Sequence, residues 1–201
     1  MKKYIFSLFL SGLSLVAFSQ EFTGGISFGC VSSQLDGDTY SGYNKASITF
    51  GGYVNRKISQ KFTGQMEMKF IQKGSYFKSN DASLYVYYYK SKLNYIELPV
   101  TIHYLYGKFI FEAGISAGYL INSKEIINGL EELYPRPFEK FEYCSILGFN
   151  YQIFDRLAAN FRFEYSLLWI RENPGIADPY SVFYNGNQFN NVLSFALYYQ
   201  L

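Results

Sequence analysis

The sequence predicts an all-β protein: an eight-stranded antiparallel up-and-down transmembrane β-barrel that follows an N-terminal signal peptide. Three observations predict it. Period-two alternation of apolar and polar residues recurs along the chain, the mark of strands with two unlike faces. The connections between these segments alternate long and short, as in a membrane barrel with long outer loops and tight periplasmic turns. Every mid-strand charge falls on the polar face.

The N-terminus sets the compartment. Met1-Lys2-Lys3 is a short basic region, followed by an apolar run to Phe18, with small residues Ala17 and Ser19 where a signal peptidase reads. The run is too short and wrongly flanked to span a membrane as a helix. A signal peptide is therefore expected over residues 1–19 and one barrel domain over 20–201. Loss of Lys2 and Lys3 takes the net charge from +2 to zero. A neutral chain without a basic stripe excludes nucleic acid as the expected partner.

The strands are expected at 22–33, 45–58, 61–73, 91–106, 108–121, 140–153, 156–170 and 188–201. Long connections near 34–44, 74–90, 122–139 and 171–187 are rich in Gly, Asn, Asp, Ser, Pro and charges. Tight ones fall at Ser59-Gln60, Gly107 and Phe154-Asp155. In the third strand Phe62, Gly64, Met66, Met68 and Phe70 oppose Thr63, Gln65, Glu67 and Lys69. In the fifth, Phe109, Phe111, Ala113, Ile115, Ala117 and Tyr119 oppose Ile110, Glu112, Gly114, Ser116 and Gly118. In the seventh, the line from Leu157 to Trp169 opposes Ala158, Asn160, Arg162, Glu164 and Ser166. Cys30 and Cys144 fall on opposite faces of non-adjacent strands, so no disulfide is expected between them.

Alternation alone does not say which face points out. A lipocalin-like exported barrel binding a hydrophobic ligand would enclose the apolar face; an outer-membrane barrel turns it toward lipid. Aromatic residues make up 21% of the chain and charged residues only 17%, too few charges for a fully solvated exterior. Phe, Tyr and Leu crowd the apolar face of every strand and would overfill a small barrel. Tyr and Trp gather at strand ends, where amphipathic rings meet a membrane boundary. These features favour an outer-membrane location, with lipid as the surrounding partner.

The segment NYIELPVTIHY (94–104) tests the assignment. Asn94, Ile96, Leu98, Val100, Ile102 and Tyr104 share the lipid parity, and Glu97, Pro99, Thr101 and His103 the lumen parity. Proline cannot donate to the ladder, so a bulge or a broken ladder bond is expected at Pro99.

GGISFG in the first strand, the hairpin ITFGGYVNRKISQKFTGQMEMKF, YIELPVTIHY and GKFIFEAGISAGYL together resemble the Bacteroidota outer-membrane β-barrel family that includes the PorT-like proteins. The resemblance covers most of residues 20–201 and implies an eight-stranded barrel in a Gram-negative outer membrane. It also implies, for some members, a part in secretion and gliding machinery. The chain departs from the usual pattern by ending in Leu201 rather than an aromatic residue.

On the lumen face the ionisable residues are Glu67, Lys69, Glu97, His103, Glu112, Glu142, Arg162 and Glu164. An eight-stranded lumen is just wide enough to be filled by side chains. Charges enclosed there must pair or neutralise, so an ion-pair network is expected. Acids outnumber bases, which calls for a protonated carboxyl or a pairing with His103. A lipid-modifying enzyme would need a nucleophile near that histidine; Ser116 lies higher in the barrel and no nucleophile motif surrounds it. Neither a catalytic residue, a metal site nor a cofactor is expected, nor an open pore. Contacts with envelope proteins are expected at the outer loops, where SLYVYYYKSKL (83–93) presents Tyr85, Tyr87 and Tyr89, and where NGLEELYPRPFEK (128–140) is charged. The barrel is expected to be a monomer with a structural or interaction role, or a component of a secretion or envelope machinery.

Overall fold

The computed structural model describes residues 22–38, 40, 42–79, 87–133, 135–172 and 187–201. The expected signal peptide and Tyr85 lie outside these residues. Ten strands form one antiparallel sheet: β1 (Phe22–Asp36), β2 (Lys45–Lys57), β3 (Phe62–Lys73), β4 (Tyr76–Lys78), β5 (Tyr88–Tyr106), β6 (Phe109–Ile127), β7 (Leu130–Glu131), β8 (Phe141–Phe154), β9 (Leu157–Ser166) and β10 (Phe189–Gln200). Eight are long. Their order, β5-β3-β2-β1-β10-β9-β8-β6, returns to β5 through the β5–β6 pairing and closes the barrel. The short β4 and β7 extend β5 and β6 outward.

Closure follows from the sequence pattern. β1 pairs with β10 from Gly25↔Gln200 to Asp36↔Phe189, so the two ends of the described chain meet and no sheet edge is left along the wall. Three tight turns lie at that same end of the barrel. At one of them Tyr106 pairs with Phe109 across Gly107 and Lys108. Gly107 has φ 62°, which suits the first central position of a two-residue hairpin turn and matches the right-handed twist of the strands.

The faces settle which side is lipid. Phe28, Met68 and Leu147 are 64%, 62% and 61% exposed, while Glu97 and Glu164 are 0% exposed. Large apolar side chains outside and charges inside are the arrangement of a membrane barrel. The lipocalin-like alternative, with an apolar interior and a solvated wall, does not fit it. Aromatic pairs mark both edges of the band: Phe62–Tyr104 and Phe109–Tyr151 below, Tyr119–Phe141 above, with ring centroids 5.2–5.4 Å apart. From Phe109 to Tyr119 the strand advances roughly 33 Å, or about 25 Å vertically at a 40° tilt, which matches the height of an outer-membrane apolar band. Cys30 is exposed on this face and Cys144 is buried in the lumen.

Pro99 breaks the ladder without shifting it. Between β3 and β5 the register runs from Phe62↔Tyr104 to Met66↔Val100 and resumes at Lys69↔Glu97. The two pairs between, which include Pro99, are missing, while the register on either side is the same. Bulges occur elsewhere. One lies on β6 opposite Asn94/Tyr95, where Ile121 is the extra residue, and one on β8 between Gln152 and Phe154. The seventh segment also stops short of its expected end: β9 closes at Ser166, and Trp169 lies in the connection beyond it.

Candidate functional site

The lumen is built in layers. At the periplasmic mouth a small cavity of about 120 Å³ is lined by Tyr53, Gln65, His103, Asn150 and Tyr198, among others. Above it the inward residues of β3, β5, β6, β8 and β9 form an ion-pair layer with two nodes.

Arg162 on β9 centres the lower node. Its Nε lies 2.6 Å from Glu112 Oε1, and its Nη2 donates to Glu112 Oε2 at 2.9 Å and to Glu67 Oε1 at 2.6 Å. Asn160 Nδ2 and Tyr198 OH supply further donors, to Glu112 at 3.0 Å and Glu67 at 3.0 Å. His103 Nε2 lies 3.3 Å from Glu112 Oε2 and 3.0 Å from Thr101 Oγ1. Gly148 makes this possible: a Cβ there would stand 2.5 Å from Glu112 Oε1.

The upper node holds Lys69 and Lys73 of β3 among three carboxylates. Lys69 bridges Glu164, and Glu97 at 3.3 Å. Lys73 bridges Glu97, Glu142 at 3.1 Å and Glu164 at 3.8 Å. Ser166 Oγ and Asn190 Nδ2 donate to Glu142 Oε1 at 2.6 and 2.8 Å. Arg162 Nη1, 3.8 Å from Glu164, joins the nodes. The structure thus brings Glu67, Lys69, Glu97, His103, Glu112, Glu142, Arg162 and Glu164 into one connected layer, and adds Lys73. That lysine has the parity of Lys69 and ends the expected third strand, so its signal was present in the alternation. Glu97, Glu142 and Cys144 offer the donor set of a metal centre. Lys73 Nζ contacts all three, lying 3.6 Å from Cys144 Sγ, so the chain's own cation fills that position.

Desolvation dominates the energetics. Each charge taken from water costs several kcal/mol, which mutual attraction recovers only when partners and hydrogen bonds are complete. Five carboxylates face three fixed cations, and His103 stands beside Glu112.

Above the charges the lumen turns apolar. Val31, Leu35, Ile71, Leu93, Tyr95, Leu120, Phe138, Ile170 and Val192 pack into one cluster, all buried. The lumen, read from the alternation as filled and polar, thus also holds an apolar layer. The layer's strand residues lie on the lumen parity toward the outer ends of the strands, and Phe138 and Ile170 reach it from the connections.

A vestibule of about 340 Å³ opens on the outer side, lined by Asp38, Tyr40, Tyr89, Glu125, Arg136, Arg171 and Gln188, among others. Arg171 stacks on Phe138 with its guanidinium carbon 3.5 Å from the ring centroid, and its Nη2 lies 2.7 Å from Glu125 Oε2. Tyr89 OH donates to Glu125 Oε1 at 2.6 Å. Tyr40 stacks between Phe77 and Tyr89, with centroids 4.7 and 4.9 Å away. Burial raises Asp38 to about 6. Burial, and then the neighbouring Glu125, push the Tyr89 phenol well above its usual range.

Tyr89 is therefore a correction. It was expected among exposed outer contacts, but it is buried at the mouth. It shares parity with Leu93, Tyr95 and Glu97, so continuing the alternation upward turns it inward. Tyr87 is 40% exposed at the rim. Glu125 was missed for the opposite reason. The extra residue Ile121 flips the parity of β6, and Glu125, which straight alternation would turn outward, is buried instead.

Residues 17–170 match the family model described as outer membrane protein beta-barrel domain. The chain belongs to that family. As an outer-membrane barrel it is similar in fold to two solved structures. Neisserial surface protein A (NspA) superposes with a TM-score of 0.54 at 9% identity, covering 92% of this chain and 100% of that one. Ail, the attachment invasion locus protein of Yersinia pestis, superposes with a TM-score of 0.50 at 14% identity, covering 90% and 99%. Ail has also been solved in complex with the heparin analogue sucrose octasulfate. No curated protein matches the sequence. The barrel resides in the outer membrane, with its apolar wall in lipid.

Proposed function

We propose that this outer-membrane barrel is a surface recognition protein, one component of an envelope assembly, and neither a pore nor an enzyme. The observation that carries the reading is the double seal of the lumen. An ion-pair layer and an apolar layer both cross it, so the parts open to the outside are the vestibule and the loops around it. In those loops Leu130 and Leu133 are 77% and 78% exposed, the apolar display of a contact surface. Catalysis finds no support around His103. That residue pairs directly with Glu112, and Ser116 lies four positions further along β6, roughly 13 Å away at strand rise.

Within the family we read the chain as PorT-like, on the strength of Tyr95–Tyr104 and the following hairpin arm. We further read it as a monomer whose mature form begins near Gln20. Ail shares the fold and carries attachment in its name, which supports the reading of recognition at the cell surface.

Two measurements test the reading. In planar bilayers the purified barrel gives no stable conductance; resolved, long-lived channels would sink the sealed-lumen argument. Replacing residues 129–139 with a short Gly-Ser turn leaves heat-modifiable gel migration intact but abolishes crosslinking of an envelope partner to a probe placed at Tyr87 on the rim in whole cells. Unchanged crosslinking from elsewhere on the barrel would remove the loop from the interaction.

A further inference from the structure

On the outer face of β3, β5 and β6 the apolar band ends in a row of amides. Gln72 Nε2 donates to Asn94 Oδ1 at 2.8 Å, and Asn94 Nδ2 to Asn122 Oδ1 at 2.6 Å. Such groups satisfy one another where the hydrocarbon beside them offers no partner. Below the row lie exposed Ile96, Leu98 and Met68. Above it, on the same outward face, stand Lys92 and Lys90 of β5, Lys124 of β6 and Lys78 of β4.

These lysines are poorly compensated by the protein itself. Lys92 sits directly opposite Lys124, and like charges in that position destabilise a strand pair. Lys124 bridges Glu131, and Lys90 lies 5.8 Å from the Tyr76 ring centroid. Among the described residues, neither Lys90 nor Lys92 bridges a carboxylate. Lys45, on the lumen parity at the outer end of β2, is buried near them, and among the described residues its ammonium meets neutral acceptors: Ala46 O at 3.3 Å, Ser47 Oγ at 2.6 Å and Gln72 Oε1 at 3.4 Å. Burial, then repulsion from Lys90 and Lys92, lowers it to about 8.

Height indicates which anion suits these lysines. At strand rise and a 40° tilt, Lys92 stands roughly 5 Å and Lys90 roughly 10 Å above the amide row. That is the depth of lipid headgroups. We propose that the outward rim of β4, β5 and β6, carrying Lys90, Lys92 and Lys124 with Lys78 beside them, binds the phosphate of an outer-leaflet glycolipid headgroup. A phosphate between Lys92 and Lys124 turns a repulsive pair into two attractive ones. The apolar face directly below takes the acyl chains of the same molecule, which a free anion would leave uncovered.

The test uses the full mature barrel in zwitterionic detergent, with three probes: a bis-phosphorylated glycolipid, the same lipid without its phosphates, and inorganic phosphate. Native mass spectrometry and thermal unfolding report retention. The phosphorylated lipid stays bound and raises the unfolding temperature. Its dephosphorylated form is retained roughly tenfold less or weaker still, and inorganic phosphate at equal concentration does not displace the lipid. A Lys90→Gln/Lys92→Gln variant loses retention by a similar factor while keeping heat-modifiable migration, and Lys57→Gln/Lys61→Gln at the opposite end changes nothing. Equal retention of both lipids, or an unaffected Lys90/Lys92 variant, overturns the proposal. Full displacement by inorganic phosphate also overturns it, because the site would then serve a soluble anion. Should the double variant fail to fold, the three probes on the unaltered chain still decide.

Discussion

The same wall carries two sets of cations with opposite fates. Inside, Arg162, Lys69 and Lys73 each meet two or more carboxylates, and all are at most 4% exposed. Outside, at the rim, Lys90 and Lys92 meet none among the described residues. The difference teaches how to read a charge in a barrel. A cation whose partners are all supplied by neighbouring strands is part of the wall's own construction. A cation left unpaired at the membrane surface is turned toward something outside the chain.

The comparison breaks most visibly if a lumen cation is removed. Arg162→Met leaves Glu67 and Glu112 facing each other without their guanidinium, and an uncompensated buried charge costs about 3–5 kcal/mol. The expected result is a large fall in urea midpoint or failure to refold, read by loss of heat-modifiable migration. A variant as stable as the parent would mean that the lower node is not held by charge. A smaller loss is expected at the vestibule. Tyr89→Phe removes one donor from Glu125, which keeps Arg171, so about 0.5–1.5 kcal/mol is lost. A cost as large as that of Arg162→Met would show the vestibule to be as tightly determined as the lumen.

A third effect lies at the outer end of β2 and depends on pH. Lys45 has its folded value lowered to about 8 from 10.5. Between those values the unfolded chain holds more protons than the folded one, so stability rises with pH through that window. The urea midpoint therefore increases from pH 8 toward pH 10, and Lys45→Gln flattens this slope. An equal slope in the variant would assign it to other groups.

Much of the wall was legible in the sequence because strand parity is a strict period of two. Once Glu97 was placed inward, Glu67, Glu112, Arg162 and Glu164 followed from alternation on their own strands. Pro99 was legible too, since a ring without an N–H must interrupt some ladder. The outer half was less so. One extra residue at Ile121 reverses the parity of everything beyond it on β6, and nothing in the local sequence announces the insertion. The apolar plug was hidden differently: Ile71, Leu93 and Val192 are ordinary strand residues, and only closure of the barrel gathers them into a layer. Tyr89 was misplaced because aromatic residues beyond the apolar band suggested exposure, although its parity said otherwise.

The interrupted pairing at Pro99 gives the cylinder a direction of compliance. A closed sheet spreads strain evenly around its circumference, since every strand is bonded on both sides. Here the β3–β5 bonds are missing opposite Pro99, while β5 stays paired to β6 through Pro99↔Ser116. Amides flanking that gap are expected to exchange with solvent deuterium sooner than others in the mid-membrane wall, as hydrogen-exchange measurement would show. The seam between Met68 and Leu98, with fewer bonds to break than its neighbours, is where a change in bilayer thickness is expected to be taken up.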